Sequence, residues 1–145
     1  MFNVMKLNMK PYAIVDSSKK PLVTVTFTGE KSTDENFDQY LADLEKCYDD
    51  RQKISIIFDA SQAGIPKSSH QKKQALWISQ HWKLIQTYCI GTAYVIPNVA
   101  IRAVLKMIFS FQNQPSPYKI FSNFNIRASK SFAHISSLTK VNFAI

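Results

Sequence analysis

Residues 54–74 read ISIIFDASQAGIPKSSHQKKQ and gather the side chains best suited to chemistry. An apolar run delivers Asp59 and Ser61, and a short loop then leads to Lys67, Ser68, Ser69 and His70 ahead of the pair Lys72 and Lys73. Ser68 and Ser69 are candidate phosphoacceptors. A phosphate there adds about −1.5 to −2 charges at the start of a helix, beside three lysines, where the backbone amides and the helix dipole favour it. The plainer reading is that one serine caps the helix. Asp59 either orients a ligand or accepts hydrogen bonds from its own turn, as aspartates following strands commonly do. In open α/β sheets such strand-to-helix corners are where sites form.

Other chemistry finds little support. His70, His81 and His134 have no ligand-like spacing with each other or with Cys47 and Cys89, so no metal site is expected. A Gly-x-Ser-x-Gly elbow is absent, and Gly29, Gly64 and Gly91 are too scattered to cradle phosphate. The expectation is a protein without enzymatic activity or cofactor. Two binding features stand beside the corner. Trp77, Trp82, Tyr88 and Tyr94 are candidates for lining an apolar pocket, although aromatics at helical spacing are more often plain core. Lys72, Lys73, Lys83, Arg102 and Lys106 form a candidate basic docking arc, against the alternative of a solvated lysine-rich face.

The elements that must position these residues follow from periodicity. Residues 10–16 (KPYAIVD) and 22–28 (LVTVTFT) flank Ser-Ser-Lys-Lys-Pro and read as a hairpin. Ser32 or Thr33 caps a helix to about Asp50, with Asp34 and Glu35 in its first turn. Its buried stripe is Phe37, Tyr40, Leu41, Leu44 and Tyr48. Residues 53–59 form a nearly continuous apolar run suited to a central parallel strand. One helix is expected over 68–87, its core stripe Gln71, Ala75, Ile78, Trp82 and Ile85. A strand over 92–96 stops at Pro97, and Asn98 caps a helix buried through Ile101, Val104, Leu105 and Ile108. Arg102, Lys106 and Phe109 share another face of that helix. Residues 118–121 are a last strand, and residues 126–135 a last helix, with Asn125 as its cap. The order is β-β-α-β-α-β-α-β-α, an α/β fold with a mixed, mainly parallel open sheet. It occupies one domain over 1–145, with its core at about 10–135 and extensions at 1–9 and 136–145.

This order and the opening corner resemble the SpoIIAA-like (STAS) domains, which include bacterial anti-sigma factor antagonists. The family carries an apolar strand ending in Asp-x-Ser, then an Asp-Ser-Ser at a helix start whose serine a partner kinase phosphorylates. Here Asp59-Ala60-Ser61 and Lys67-Ser68-Ser69 stand at those places. Lys67 replaces the family's acid and His70 the following glycine, which puts docking ahead of a phosphorylation switch. Trp77, the GTAYVIP run at 91–97, Arg102 and the YKIFSN run resemble a STAS and CRAL-TRIO-like branch, over about residues 23–135. The resemblance implies a bacterial, SpoIIAA-like fold and a regulatory or interaction role.

Composition agrees with a globular domain. Of 145 residues, 46% are hydrophobic and 19% charged, enough for a core without staples. Two cysteines cannot make a disulfide framework, so they read as apolar fillers and the expected compartment is the cytoplasm. The first ten residues have no signal-peptide pattern, and the apolar window 91–111 is interrupted by Pro97, Arg102 and Lys106. Charge is segregated: all ten acids lie in the first 59 residues with eight basic residues, and the remaining 86 residues carry ten basic side chains and no acid. An acidic protein partner for the basic arc and the 64–74 corner is therefore the first expectation. The alternative is a small apolar ligand or lipid behind Trp77 and Trp82, with anionic lipid also compatible with the basic face. Nonspecific nucleic-acid binding ranks lower for want of a recognition motif, and a homodimer is compatible with all three.

Overall fold

A computed structural model of the chain describes residues 9–123. The expected last helix at 126–135, its cap Asn125, His134 and the 136–145 extension lie outside the described residues. Nine elements follow in order: β1 (Ala13–Asp16), β2 (Leu22–Phe27), α1 (Asp34–Lys46), β3 (Ile54–Asp59), α2 (Ser68–Gln80), α3 (Trp82–Tyr88), β4 (Cys89–Val95), α4 (Val99–Phe111) and β5 (Tyr118–Phe121). They build a five-stranded α/β sheet in the order β1-β2-β3-β4-β5. The β1–β2 hairpin is antiparallel and every later pair is parallel.

Each parallel strand is thus added beside the one before it, on the same side. Right-handed crossovers that always advance in one direction return their helices to one face of the sheet. Burial shows this outcome. Val23, Val25, Ile54 and Ile56 share one core cluster with Phe37, Leu44, Ile78, Ile85 and Ile108, which come from all four described helices. Ile57, Ala93 and Val95 point the other way and form a separate small cluster with Leu22 and Phe121. Strand order never reverses, so the sheet has no switch-point crevice, and the rule that favoured the β3–α2 corner has no purchase on this topology.

Local chemistry explains several boundaries. Thr33 caps α1: its Oγ1 accepts from the Asn36 amide (3.1 Å), and Asn36 Oδ1 accepts from the Thr33 amide (2.7 Å), a reciprocal capping box. Ser32 is thereby left for a different partner. At α2 the cap position is Lys67, with no side-chain cap bond, and Ser68 and Ser69 are the first two helical residues. This corrects the serine-cap expectation. The Lys67 amide donates instead to Ser32 Oγ from the distant β2–α1 loop (3.1 Å), so a tertiary contact fixes the start of α2.

The single helix expected over 68–87 is two, divided at His81, where φ is −111° and ψ 18°. His81 Nδ1 bonds the Trp77 carbonyl oxygen (2.8 Å) and Nε2 reaches Glu45 (2.9 Å), so the side chain competes for helical hydrogen bonding at the turn. β4 begins at Cys89, three residues earlier than expected. A register shift against Ile54 and Ser55 accommodates the extra residue there. Phe109, half-buried, packs edge-on to Tyr94 at 6.0 Å and lies 5.1 Å from Tyr118.

Gly29, just past β2, holds a φ of +90°, and a Cβ built there would sit 2.9 Å from the Gln62 carbonyl oxygen. The hairpin end and the β3–α2 loop therefore meet through a position that only glycine fills easily. Replacing Gly29 by Ala should cost about 1–3 kcal/mol through backbone strain and the displaced loop. Urea denaturation measures the loss, and an unchanged midpoint would contradict this role.

Candidate functional site

The central strands place one aromatic each at their carboxyl ends, on the helix-covered face. Phe58 and Tyr94 are register partners and stack with ring centroids 5.1 Å apart and planes at 12°. Phe27 stacks on Phe58 from the other side at 6.2 Å. The three rings form a continuous floor across β2, β3 and β4. Period-two alternation puts side chains two residues apart on the same face, so Val25, Ile56 and Thr92 lie behind this tier.

Above the floor, the helices do not close completely. A cavity of about 110 Å³ lies between the sheet and α1, α2 and α4. Tyr40 comes from α1, Gln74, Trp77 and Ile78 from α2, and Val104 and Phe109 from α4. Ala60, Ala63, Gly64 and Pro66 of the β3–α2 loop complete the wall. Gly64 is the one exposed residue among them; the others are buried or half-buried. The corner that carries Ser68 and Ser69 therefore stands over a cavity, and the exposed lining residue Gly64 belongs to that corner.

The polar groups around this space behave differently from one another. The Tyr94 hydroxyl donates to Gln114 Oε1 (3.4 Å), and Gln114 Nε2 donates to Ser116 Oγ (3.1 Å). Tyr40 is 4% exposed, and its hydroxyl makes no hydrogen bond with a described residue. No fully enclosed side-chain oxygen or nitrogen is left unpaired among the described residues, so this hydroxyl keeps contact with open space. Burial pushes the Tyr40 phenol well above its ordinary range, with the Tyr12 and Tyr94 phenols adding to the effect. Burial likewise raises Tyr94 and pushes Tyr12 up to about 12. The hydroxyls facing this region are therefore neutral hydrogen-bonding groups.

The residues singled out by sequence divide. Trp77 and Tyr94 line the cavity, whereas Trp82 and Tyr88 do not; the Tyr88 ring instead lies under Arg51, 5.9 Å from its guanidinium carbon. Asp59 Oδ1 accepts both the amide (3.0 Å) and the hydroxyl (2.6 Å) of Ser61, the self-contained turn of the plainer reading. Ser68 and Ser69 are exposed. Lys72, Lys83 and Lys106 are exposed and make no ion pair with a described residue. Lys73 Nζ donates to Asp38 (2.8 Å), and this contact raises its pKa. Arg102 donates to the Ile96 carbonyl oxygen (2.7 Å) and to Ser122 Oγ (3.0 Å), tying α4 to the strand ends. Cys47 and Cys89 are buried thiols, Cys47 pushed up to about 11 chiefly by burial. No group of three or more His, Cys, Asp or Glu among the described residues is placed to hold a metal ion.

His70 has a partner set that spacing did not reveal. It is 1% exposed and stacks on Phe37 at 5.0 Å. Its Nδ1 meets Ser32 Oγ (2.7 Å) and its Nε2 meets Asp34 Oδ1 (2.8 Å). A carboxylate only accepts, so Nε2 carries the proton. The string then runs from the Lys67 amide through the Ser32 hydroxyl and His70 to Asp34, with every member satisfied. It holds serine, histidine and aspartate, yet Ser32 is 4% exposed and none of the three lines the cavity. What it does is lock the start of α2 to the start of α1.

Comparison of the chain with protein-family models, with curated proteins and with solved structures finds no match.

The lock has an acid dependence of definite sign. The His70 hydrogen bond is the largest cause holding the Asp34 carboxyl below its usual range, with Lys73 and Lys67 adding smaller attractions. A depressed carboxylate pKa stabilises the fold above the unfolded value, roughly 3.9, and that stability disappears as pH falls through the lower folded value. Asp34→Asn should therefore melt below the parent at neutral pH, with the gap closing between pH ~4 and the lower folded pKa. Thermal melts across pH 7 to 3 read this directly; a gap independent of pH would refute the carboxylate's role.

Proposed function

We propose that this domain is a binding module for a small, mostly apolar ligand held between the sheet and its helices. The observation that carries the reading is the cavity itself: about 110 Å³, floored by Phe27, Phe58 and Tyr94, with Gly64 the one exposed residue among the described lining residues. Small-molecule sites are concave, chiefly apolar and largely preformed, with a few placed polar groups. This space has each property. Apolar cavities of comparable volume in folded domains stay dry and take up single aromatic rings. The order of strands and helices supports a SpoIIAA-like variant of the α/β fold, with the binding space under the corner where that family carries its serines.

A second reading keeps the basic surface. Lys72, Lys83 and Lys106 project from α2, α3 and α4 without described ion-pair partners. They suit an acidic protein partner, and the exposed serines beside Lys72 leave room for regulation of that contact by phosphate. Lys73 and Arg102 contribute less, since Asp38 and the strand ends already engage them.

Two measurements separate these readings. Saturating toluene should raise the melting temperature if the cavity binds, because a ligand at 100 times its Kd stabilises by about 2.7 kcal/mol. Val104→Phe, which fills the cavity from α4, should abolish that shift without lowering the melting temperature of the free protein. A shift that survives in Val104→Phe places the ligand elsewhere. For the basic face, polyglutamate should bind with strong salt dependence, and charge reversal at Lys72, Lys83 and Lys106 together should remove it. Equal binding by the reversed protein would eliminate that surface.

A further inference from the structure

We infer that the ligand of this cavity is an uncharged single-ring molecule bearing one hydroxyl, received by Tyr40. The inference rests on the binding reading above and adds the chemistry of its occupant. Three observations converge on it.

The first is the absence of charge: no Lys, Arg, His, Asp or Glu is among the described cavity-lining residues, although the chain carries 18 basic side chains. A carboxylate, phosphate or ammonium brought into this space would lose its hydration and meet no opposite charge among the described lining residues, a strongly unfavourable transfer. Fatty-acid and nucleotide headgroups are thereby disfavoured inside it. The second is size and shape: about 110 Å³ bounded by the rings of Phe27, Phe58, Tyr94 and Phe109 admits one ring, which offset or edge contacts hold better than a flexible chain of equal volume. The third is Tyr40. Its side chain is more than nine-tenths buried on the cavity wall, and its hydroxyl has no hydrogen-bond partner among the described residues. Tyr94, by contrast, is already engaged with Gln114; Tyr12, 6% exposed on the same wall and 5.6 Å from the Tyr40 ring, makes no side-chain hydrogen bond with a described residue and is the neighbouring phenol. A neutral phenol both donates and accepts, so a ligand hydroxyl satisfies it in either sense. Gln74, half-buried on the α2 wall, likewise makes no hydrogen bond with a described residue and offers a further donor and acceptor.

The test compares phenol, toluene and benzoate, three probes of similar size, on the full chain and on Tyr40→Phe, by NMR titration at pH 7. The parent should bind phenol about three- to tenfold more tightly than toluene, the increment of one net hydrogen bond, and should bind benzoate far more weakly than either. In Tyr40→Phe the preference should fall to about onefold while toluene affinity is kept. Equal binding of phenol and toluene by the parent, or an intact preference in Tyr40→Phe, overturns the assignment to Tyr40 and leaves the cavity reading standing. Benzoate binding as tight as phenol overturns the uncharged ligand. Failure of all three probes overturns the binding reading itself. Should Tyr40→Phe lose its native spectrum, the phenol-to-toluene ratio of the parent and cross-relaxation between bound phenol and the Tyr40 ring decide the matter alone.

Discussion

Because every parallel strand is laid down on the same side of its predecessor, the right-handed crossover rule leaves the described helices no choice of face. One surface of the sheet must hold α1, α2, α3 and α4 together. Helices pack 8–10 Å apart when their contacting side chains interlock, as ridges into grooves. Here the sheet presents aromatics of large and similar size at its carboxyl ends, where α1, α2 and α4 converge. Rings stacked across neighbouring strands are stiff and leave residual space that aliphatic side chains from three directions do not fill. The cavity is a product of that crowding, and the strand order determines where it lies.

Charge segregation has an internal use in the same layer. Helix α1 carries Asp34, Asp38 and Glu45 towards α2 and the residue that ends it. His70, Lys73 and His81 meet them at 2.8, 2.8 and 2.9 Å. Asp34 and Asp38 are one helical turn apart, and so are His70 and Lys73, so the two helices face each other in register. The exposed Lys73–Asp38 pair contributes only about 0–1 kcal/mol, and His70 joins Asp34 as a buried hydrogen-bonding ring. Their value lies in orientation: they set how α2 sits against α1 and thereby where Gln74, Trp77 and Ile78 stand along the cavity wall. A strongly dipolar sequence thus becomes a molecule in which part of the opposition is resolved between neighbouring helices.

Much of the architecture was legible beforehand because it depends on local periodicity. The alternation of Val23, Val25 and Phe27, the continuous run at Ile54, Ile56 and Phe58, and the stripe from Phe37 to Leu44 each state their own burial. What could not be read were contacts across long separations. Ser32 belongs to the start of α2, 35 residues away, and nothing in the local pattern of either segment says so. His81 divides a helix by bonding backward to Trp77 and sideways to Glu45, of which only the first is local. Half of the aromatic set was legible: Trp77 and Tyr94 reach the cavity, while Trp82 and Tyr88 fall on the flank beyond the break at His81. The better signal was the aromatic near the end of each of three strands, which alternation places on one face. Tyr40 was read correctly as buried, but a helical stripe does not tell a filled core position from the wall of a void.

The arrangement at Gly64 separates how tightly a molecule is held from how fast it comes and goes. Where the wall reaches the surface at Gly64 its rim is the β3–α2 loop, and that loop is braced at its far side where the Gln62 carbonyl meets Gly29. Association that waits on a conformational step runs below the usual 10⁵–10⁷ M⁻¹s⁻¹ of orientation-limited encounters. A loop that must open for entry imposes its opening rate on departure as well. A ligand of only modest affinity would then have a long residence time, set by the backbone at Gly29 and Gly64 rather than by the rings that touch it.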